Sequence, residues 1–255
     1  MGILAELPLE ALVLAFFVTL FAGFVKGAVG FGMPLIMISG LATFLPVEVA
    51  LAALILPTVL TNGYQALRQG VSAAVEAVSK FRVFLLVLLV MLLASAQLVT
   101  HMPKDLLFIA IGVPIVLFCA MQLVGWSPRL RSENRNRTEV LVAGVAGFVG
   151  GLSGVWGPPT VAYLTAINTP KAEQMRVQGV IYGIGAVALV VAHVKSGVLS
   201  AQTAPLSAMM LAPALGGVLL GGHLHDLMPQ RTFKRVTLIV LTLAGLNLIR
   251  KGVLG

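Results

Sequence analysis

The sequence predicts an all-α, polytopic integral membrane protein with about eight transmembrane segments in two homologous repeats, each opening with a Gly/Pro-interrupted helix. Three observations carry that prediction: an apolar composition, the segregation of the few charges, and one Gly/Pro break that occurs twice.

Of the 255 residues 58% are hydrophobic and 10% charged, with a mean hydropathy of +1.01. A soluble domain carries about 25% charged residues. Lys, Arg, Asp and Glu are absent from 27–47, 49–67, 83–103, 106–128, 140–170, 177–194 and 196–225. Most of these runs approach or exceed the roughly 20 apolar residues that span a bilayer. The net charge of +8 lies between the apolar runs, where it suits anionic lipid at the cytoplasmic leaflet and argues against nucleic acid as a partner. Met1 to Leu7 lack the basic region and cleavage site of a secretory signal peptide, so the first helix is expected to stay. The single Cys119 excludes an intrachain disulfide, and no Cys/His spacing suggests a metal or other cofactor.

The repeated break reads Ala22-Gly-Phe-Val-Lys-Gly-Ala-Val-Gly-Phe-Gly-Met-Pro34 and Ala146-Gly-Phe-Val-Gly-Gly-Leu-Ser-Gly-Val-Trp-Gly-Pro158. Aligned without gaps at an offset of 124, Ala22/Ala146, Gly23/Gly147, Phe24/Phe148, Val25/Val149, Gly27/Gly151, Gly30/Gly154 and Pro34/Pro158 are identical. Met102-Pro103 and Met228-Pro229 precede the last apolar run of each half. The expected organisation is a first membrane repeat over 1–125, a basic cytoplasmic linker over 126–138 and a second repeat over 139–255.

In chain order, helices are expected at 9–25, 34–45, 47–67, 82–100 and 105–125, then at 139–150, 158–168, 173–194, 203–223 and 231–250. The linker, with Arg129, Arg131, Arg135 and Arg137 against Glu133, is placed inside by the positive-inside rule. If each interrupted segment crosses once, the repeats are parallel and Lys plus Arg divide ten inside to six outside, leaving out Lys26. If each enters and leaves on one side, the repeats are inverted and the division is twelve to four. The inverted form fits the charges better.

Within hydrocarbon, a broken helix survives only where protein or a water-filled cavity satisfies the freed backbone groups. Paired breaks of this kind point to a substrate site at which half-helix N-termini present amides and positive dipole ends to an anion. Pro34 and Pro158 suit the first turn of a new helix. Gly27, Gly30, Gly32, Gly151, Gly154 and Gly157 would admit a ligand close to the backbone. Lys26, with 15 uncharged residues before it and 21 after, would give the site one cation. Ser153, Trp156 and Thr160 would add hydrogen-bond donors. The competing readings are that the glycines form small-xxx-small packing faces, that Lys26 snorkels to an interface, and that Trp156 is interfacial packing. Thr58, Thr61, Asn62, Gln97, Gln122, Gln178, Tyr182 and Asn247 read better as interhelical hydrogen bonds, and Glu48 and Glu173 as surface or gate pairs. His193, His223 and His225 fall near span ends. No arrangement of nucleophile, base or paired carboxylates supports an enzyme.

On these residues the chain resembles the TauE/SafE family of sulfite and organosulfonate exporters. Gly23, Gly27, Gly30, Gly32 and Pro34 carry the resemblance in one half, and Gly147, Gly151, Gly154, Gly157 and Pro158 in the other. The resemblance implies export or uptake of small sulfur-containing or carboxylated anions across the bacterial cytoplasmic membrane, without ATP. The function expected is a secondary transporter working by alternating access, with a small anionic substrate and membrane lipid as partners. An uncoupled permease and a non-transporting assembly factor are the alternatives. Proton or sodium coupling is compatible with the sequence, with Glu48 as the one candidate proton-coupling carboxylate; a homodimer is compatible too, but no residue carries it.

Overall fold

The computed structural model describes residues 3–99, 103–125, 135–153, 156–167, 169, 171–225 and 229–254. These form thirteen helices and no strand. The first half contains α1 (Ile3–Glu6), α2 (Leu9–Val29), α3 (Met33–Leu41), α4 (Val47–Leu67), α5 (Val71–Lys80), α6 (Arg82–Ala96) and α7 (Lys104–Leu123). The second contains α8 (Arg135–Ser153), α9 (Gly157–Ala166), α10 (Lys171–Lys195), α11 (Ala204–Met209), α12 (Leu211–His225) and α13 (Gln230–Leu254).

Three features correct the expected helices. The segment expected at 203–223 is divided at Met210, because Pro213 has no N–H to donate to the Met209 carbonyl and its ring would crowd it. α8 begins at Arg135, inside the stretch read as linker, while 126–134 lie outside the described residues. α5 was not expected, because Glu76 and Lys80 interrupt its apolar pattern.

Among the described residues four helical segments are long and apolar enough to cross a membrane: Leu9–Ala28, Val47–Leu67, Arg176–Lys195 and, counting α11 and α12 together, Ala204–His223. A fifth span is added if α5 and α6, bent by 80°, count as one. That count is of the described residues alone and does not reach the expected eight. α3 and α9 have 9 and 10 residues, about half of what the hydrocarbon core requires. α8 opens on a charged turn, Arg135, Arg137 and Glu139, which shortens its apolar run.

Glycine sets the closest helix crossings. A Cβ on Gly23 or Gly27 would strike the carbonyl oxygen of Ala214 or Val218, and one on Gly217 or Gly221 that of Leu20 or Phe24. α2 and α12 are therefore parallel and in backbone contact. α8 lies on α6 in the same manner, with Gly147 against the Leu88 carbonyl and Gly151 against that of Leu92. α4 and α10 are antiparallel, with Ala66 beside Gly179 and Asn62 beside Gly183. So are α7 and α13, with Gly112 beside Gly245 and Gly252 beside Asp105. Exchanging the halves converts the α2–α12 contact into the α8–α6 contact and returns α4–α10 and α7–α13 to themselves.

The core joins both halves. Pro57 inside α4 leaves the Ala53 carbonyl without its helical donor. Ser207 of α11 supplies one: its Oγ donates to the Ala53 carbonyl at 3.3 Å and accepts the Leu56 N–H at 3.1 Å. At the end of the bundle that carries Lys80 and Glu173, the two side chains form an ion pair of 2.5 Å between α5 and α10. Nearby the buried Glu139 of α8 accepts the Phe84 N–H at 3.1 Å, closing the first turn of α6, and the Tyr163 hydroxyl at 3.0 Å.

Candidate functional site at the two interrupted helices

α2 ends where Gly30 turns left-handed at φ 83° and its N–H donates to the Lys26 carbonyl at 2.7 Å. Gly32, at φ 97°, then caps α3, and Pro34 lies in the first turn. Both positive φ values lie in the region that favours glycine. α3 returns along α2, since a Cβ on Gly40 would meet the Val18 side chain. At the second break, residues 154 and 155 lie outside the described residues; beyond them α9 starts at Gly157 and comes back along α8 until Tyr163 reaches Glu139. Each interrupted segment is thus a helical hairpin.

The hairpin tips abut. A Cβ on Gly157 would lie 3.9 Å from Phe31 Cβ and 3.5 Å from the Tyr182 hydroxyl oxygen, and that hydroxyl donates to the Gly157 carbonyl at 3.2 Å. Both new helices therefore begin in one region of the interior. The first turn of α3 is held against α4, where Thr61 Oγ lies 3.8 Å from Met33 Sδ.

Lys26 lies in this region, 3% exposed. Its Nζ donates to Asn62 Oδ1 and sits 5.9 Å from the centre of the Tyr182 ring. Asn62 Nδ2 donates to the Tyr182 carbonyl at 3.3 Å. An amide and an aromatic face are neutral partners, so the ammonium has lost its water without gaining an opposite charge from either. The chain Lys26, Asn62, Tyr182, Gly157 ties α2, α4, α10 and α9 together at the hairpin tips. Gln178, one turn before Tyr182 on α10, is buried, and its Oε1 has no hydrogen-bond partner.

The remaining expected site residues divide clearly. Gly30, Gly32, Pro34, Gly157 and Lys26 are at the two tips. Gly27 and Gly151 are not open to a ligand: their missing Cβ atoms make room for α12 and α6, so the packing reading accounts for them. Thr160 is no free donor, because its hydroxyl donates to the Trp156 carbonyl at 2.7 Å. The Trp156 ring is buried between Gly150 and Gly185, which is packing, though within the bundle and not at an interface. Gly154 lies outside the described residues, as do the side chains of Ser153 and Pro158. Asn62 and Tyr182 were expected only as helix-to-helix hydrogen bonds. They make such bonds and also hold Lys26, which no local sequence signal announces across 36 and 156 residues.

The family model of the sulfite exporter TauE/SafE matches residues 15–248. The chain belongs to the TauE/SafE family. That match covers both hairpins and every helix from α3 to α12 in full. No curated protein and no solved structure matches the chain. Membership, together with the apolar helices, makes this a multi-pass membrane protein of a family that transports sulfur-containing anions.

Proposed function

We propose that this TauE/SafE chain is a secondary transporter that moves a small anion, of the sulfite, organosulfonate or carboxylate class, across the cytoplasmic membrane by alternating access. The single observation that carries the reading is Lys26, an ammonium buried at the abutting tips of two helical hairpins with only neutral partners described. An anion there would meet the Lys26 ammonium and the N-terminus of α3, where only Pro34 lacks an N–H; α9 adds the positive end of its dipole but few donors, because Pro158 and Pro159 carry no N–H. On binding it would take Asn62's place at Nζ, and Asn62 also bonds the α10 backbone, so occupancy of the site would be felt at the contact between halves.

The antiparallel pairs α4–α10 and α7–α13 favour inverted repeats, with each hairpin entering and leaving on one side. In that arrangement Arg68, Lys80, Arg82 and Arg176 share the cytoplasmic end with the basic linker. Alternating access then consists of one half rocking against the other about the hairpin tips.

The test is the thermal stability of the purified protein against sulfite, sulfate, sulfoacetate, taurine, acetate and chloride, for wild type and Lys26→Ala. A ligand that binds only the folded protein stabilises it by about 2.7 kcal/mol at a hundred times its dissociation constant. One selective anion whose shift disappears in Lys26→Ala is the expected result. An equal shift in both proteins would remove Lys26 from the site, and no shift with any anion would favour the assembly-factor reading.

A further inference from the structure

Beside the hairpins, α4, α5, α6 and α10 enclose an apolar groove of about 550 Å³ that is open along one side. Val59 and Gly63 of α4, Val78 of α5, Leu89 of α6, and Val180 and Ile184 of α10 are among the residues that line it. A Cβ at Gly63 would meet nothing within 4 Å, so the groove is unfilled at that point.

The foot of this groove is charged. Arg176 precedes Val180 by four residues, and Arg82 precedes Leu89 by seven, so each lies on the lining face of its helix. Lys80 does not contribute a free charge there, because Glu173 neutralises it at 2.5 Å. Two guanidinium groups are left. Arg176 is half-buried, and its Nε has no hydrogen-bond partner, leaving a donor for a ligand to meet. Arginine matches phosphate oxygens in geometry as well as in charge.

We propose that this groove is a binding site for one anionic phospholipid, its acyl chain lying between Gly63 and Ile184 and its phosphate on Arg176 and Arg82. The sign of the charge selects a phosphodiester without a compensating ammonium, such as phosphatidylglycerol, over phosphatidylcholine. The bound chain would lie on the α4–α10 contact, where Asn62 packs beside Gly183.

Native mass spectrometry tests this on the full chain, delipidated and then supplied with equal phosphatidylglycerol and phosphatidylcholine. Wild type should retain one phosphatidylglycerol in preference, and Arg82→Gln with Arg176→Gln should lose that preference by roughly fivefold for each guanidinium removed. Gly63→Leu, which places its side chain in open space, should displace the lipid while the thermal transition of the delipidated protein stays unchanged. Equal retention of both lipids by wild type would overturn the proposal, as would unaltered retention in the double arginine variant. It would also fall if Gly63→Leu converted a dimer to a monomer without changing bound lipid, which would make the groove an interface between two copies.

Discussion

In the proposed mechanism the buried Lys26 carries the charge that an anion would meet. Lys26 was legible as a cation because charge-free sequence surrounds it, but its partners were not, since Asn62 and Tyr182 come to it from other helices. Removing its neutral hydrogen-bond partner should therefore leave the charge poorly held. Asn62→Ala is expected to lower stability by about 1–3 kcal/mol, read by thermal denaturation, because the ammonium and the α10 backbone each lose a bond. Gln178 is separable from such effects. Its Oε1 already lacks a partner, so Gln178→Leu should leave stability within about 1 kcal/mol or raise it. If Gln178 contacts the anion, the same variant weakens the anion-induced shift in melting temperature; an unchanged shift would confine it to the helix interface.

At the scale of the element, helix positions followed hydropathy closely along the apolar runs, even across Pro57 in α4 and Pro114 in α7. The exceptions are physical. α5 is amphipathic and lies at 80° to α6, so a search for continuous apolar runs passes over it. The split between α11 and α12 follows from Pro213, and α4 stays whole across Pro57 because Ser207 of the other half repairs the exposed carbonyl. Ser207→Ala should cost about 1–3 kcal/mol by thermal denaturation. Much of that cost should vanish in a Pro57→Ala background, which restores the helical donor; additive costs would show that the two do not act together. The glycines divide by what faces them. Gly217→Val would drive side-chain atoms into the Leu20 carbonyl across the α2–α12 crossing, and is expected to destabilise by more than 3 kcal/mol or prevent folding. Gly63→Val, in open space, should cost far less. Sequence spacing alone gives Gly27 and Gly151 either role, packing or ligand approach, and only the positions of α12 and α6 decide it.

For the whole molecule, the gapless match between halves predicts a duplication and leaves the direction of the second half open. Charge distribution favoured inversion, and the antiparallel pairing of α4 with α10 supports the same arrangement. Labelling single cysteines in a Cys119→Ser background with a membrane-impermeant thiol reagent separates the two topologies. Inverted repeats place exposed Ser72 and exposed Gln202 on opposite faces of the membrane; parallel repeats place them on the same face. The exposed Lys80–Glu173 pair should add little to global stability, below about 1 kcal/mol in a double-mutant cycle. The proposed function rests instead on the place where both hairpins end, which neither half could build alone. The most direct measurement is sulfite flux in proteoliposomes containing wild type or Lys26→Met, with folding of both checked by thermal denaturation. Flux that falls to the protein-free background in a folded Lys26→Met protein is the predicted result. Wild-type flux in that variant would contradict an anion site at Lys26.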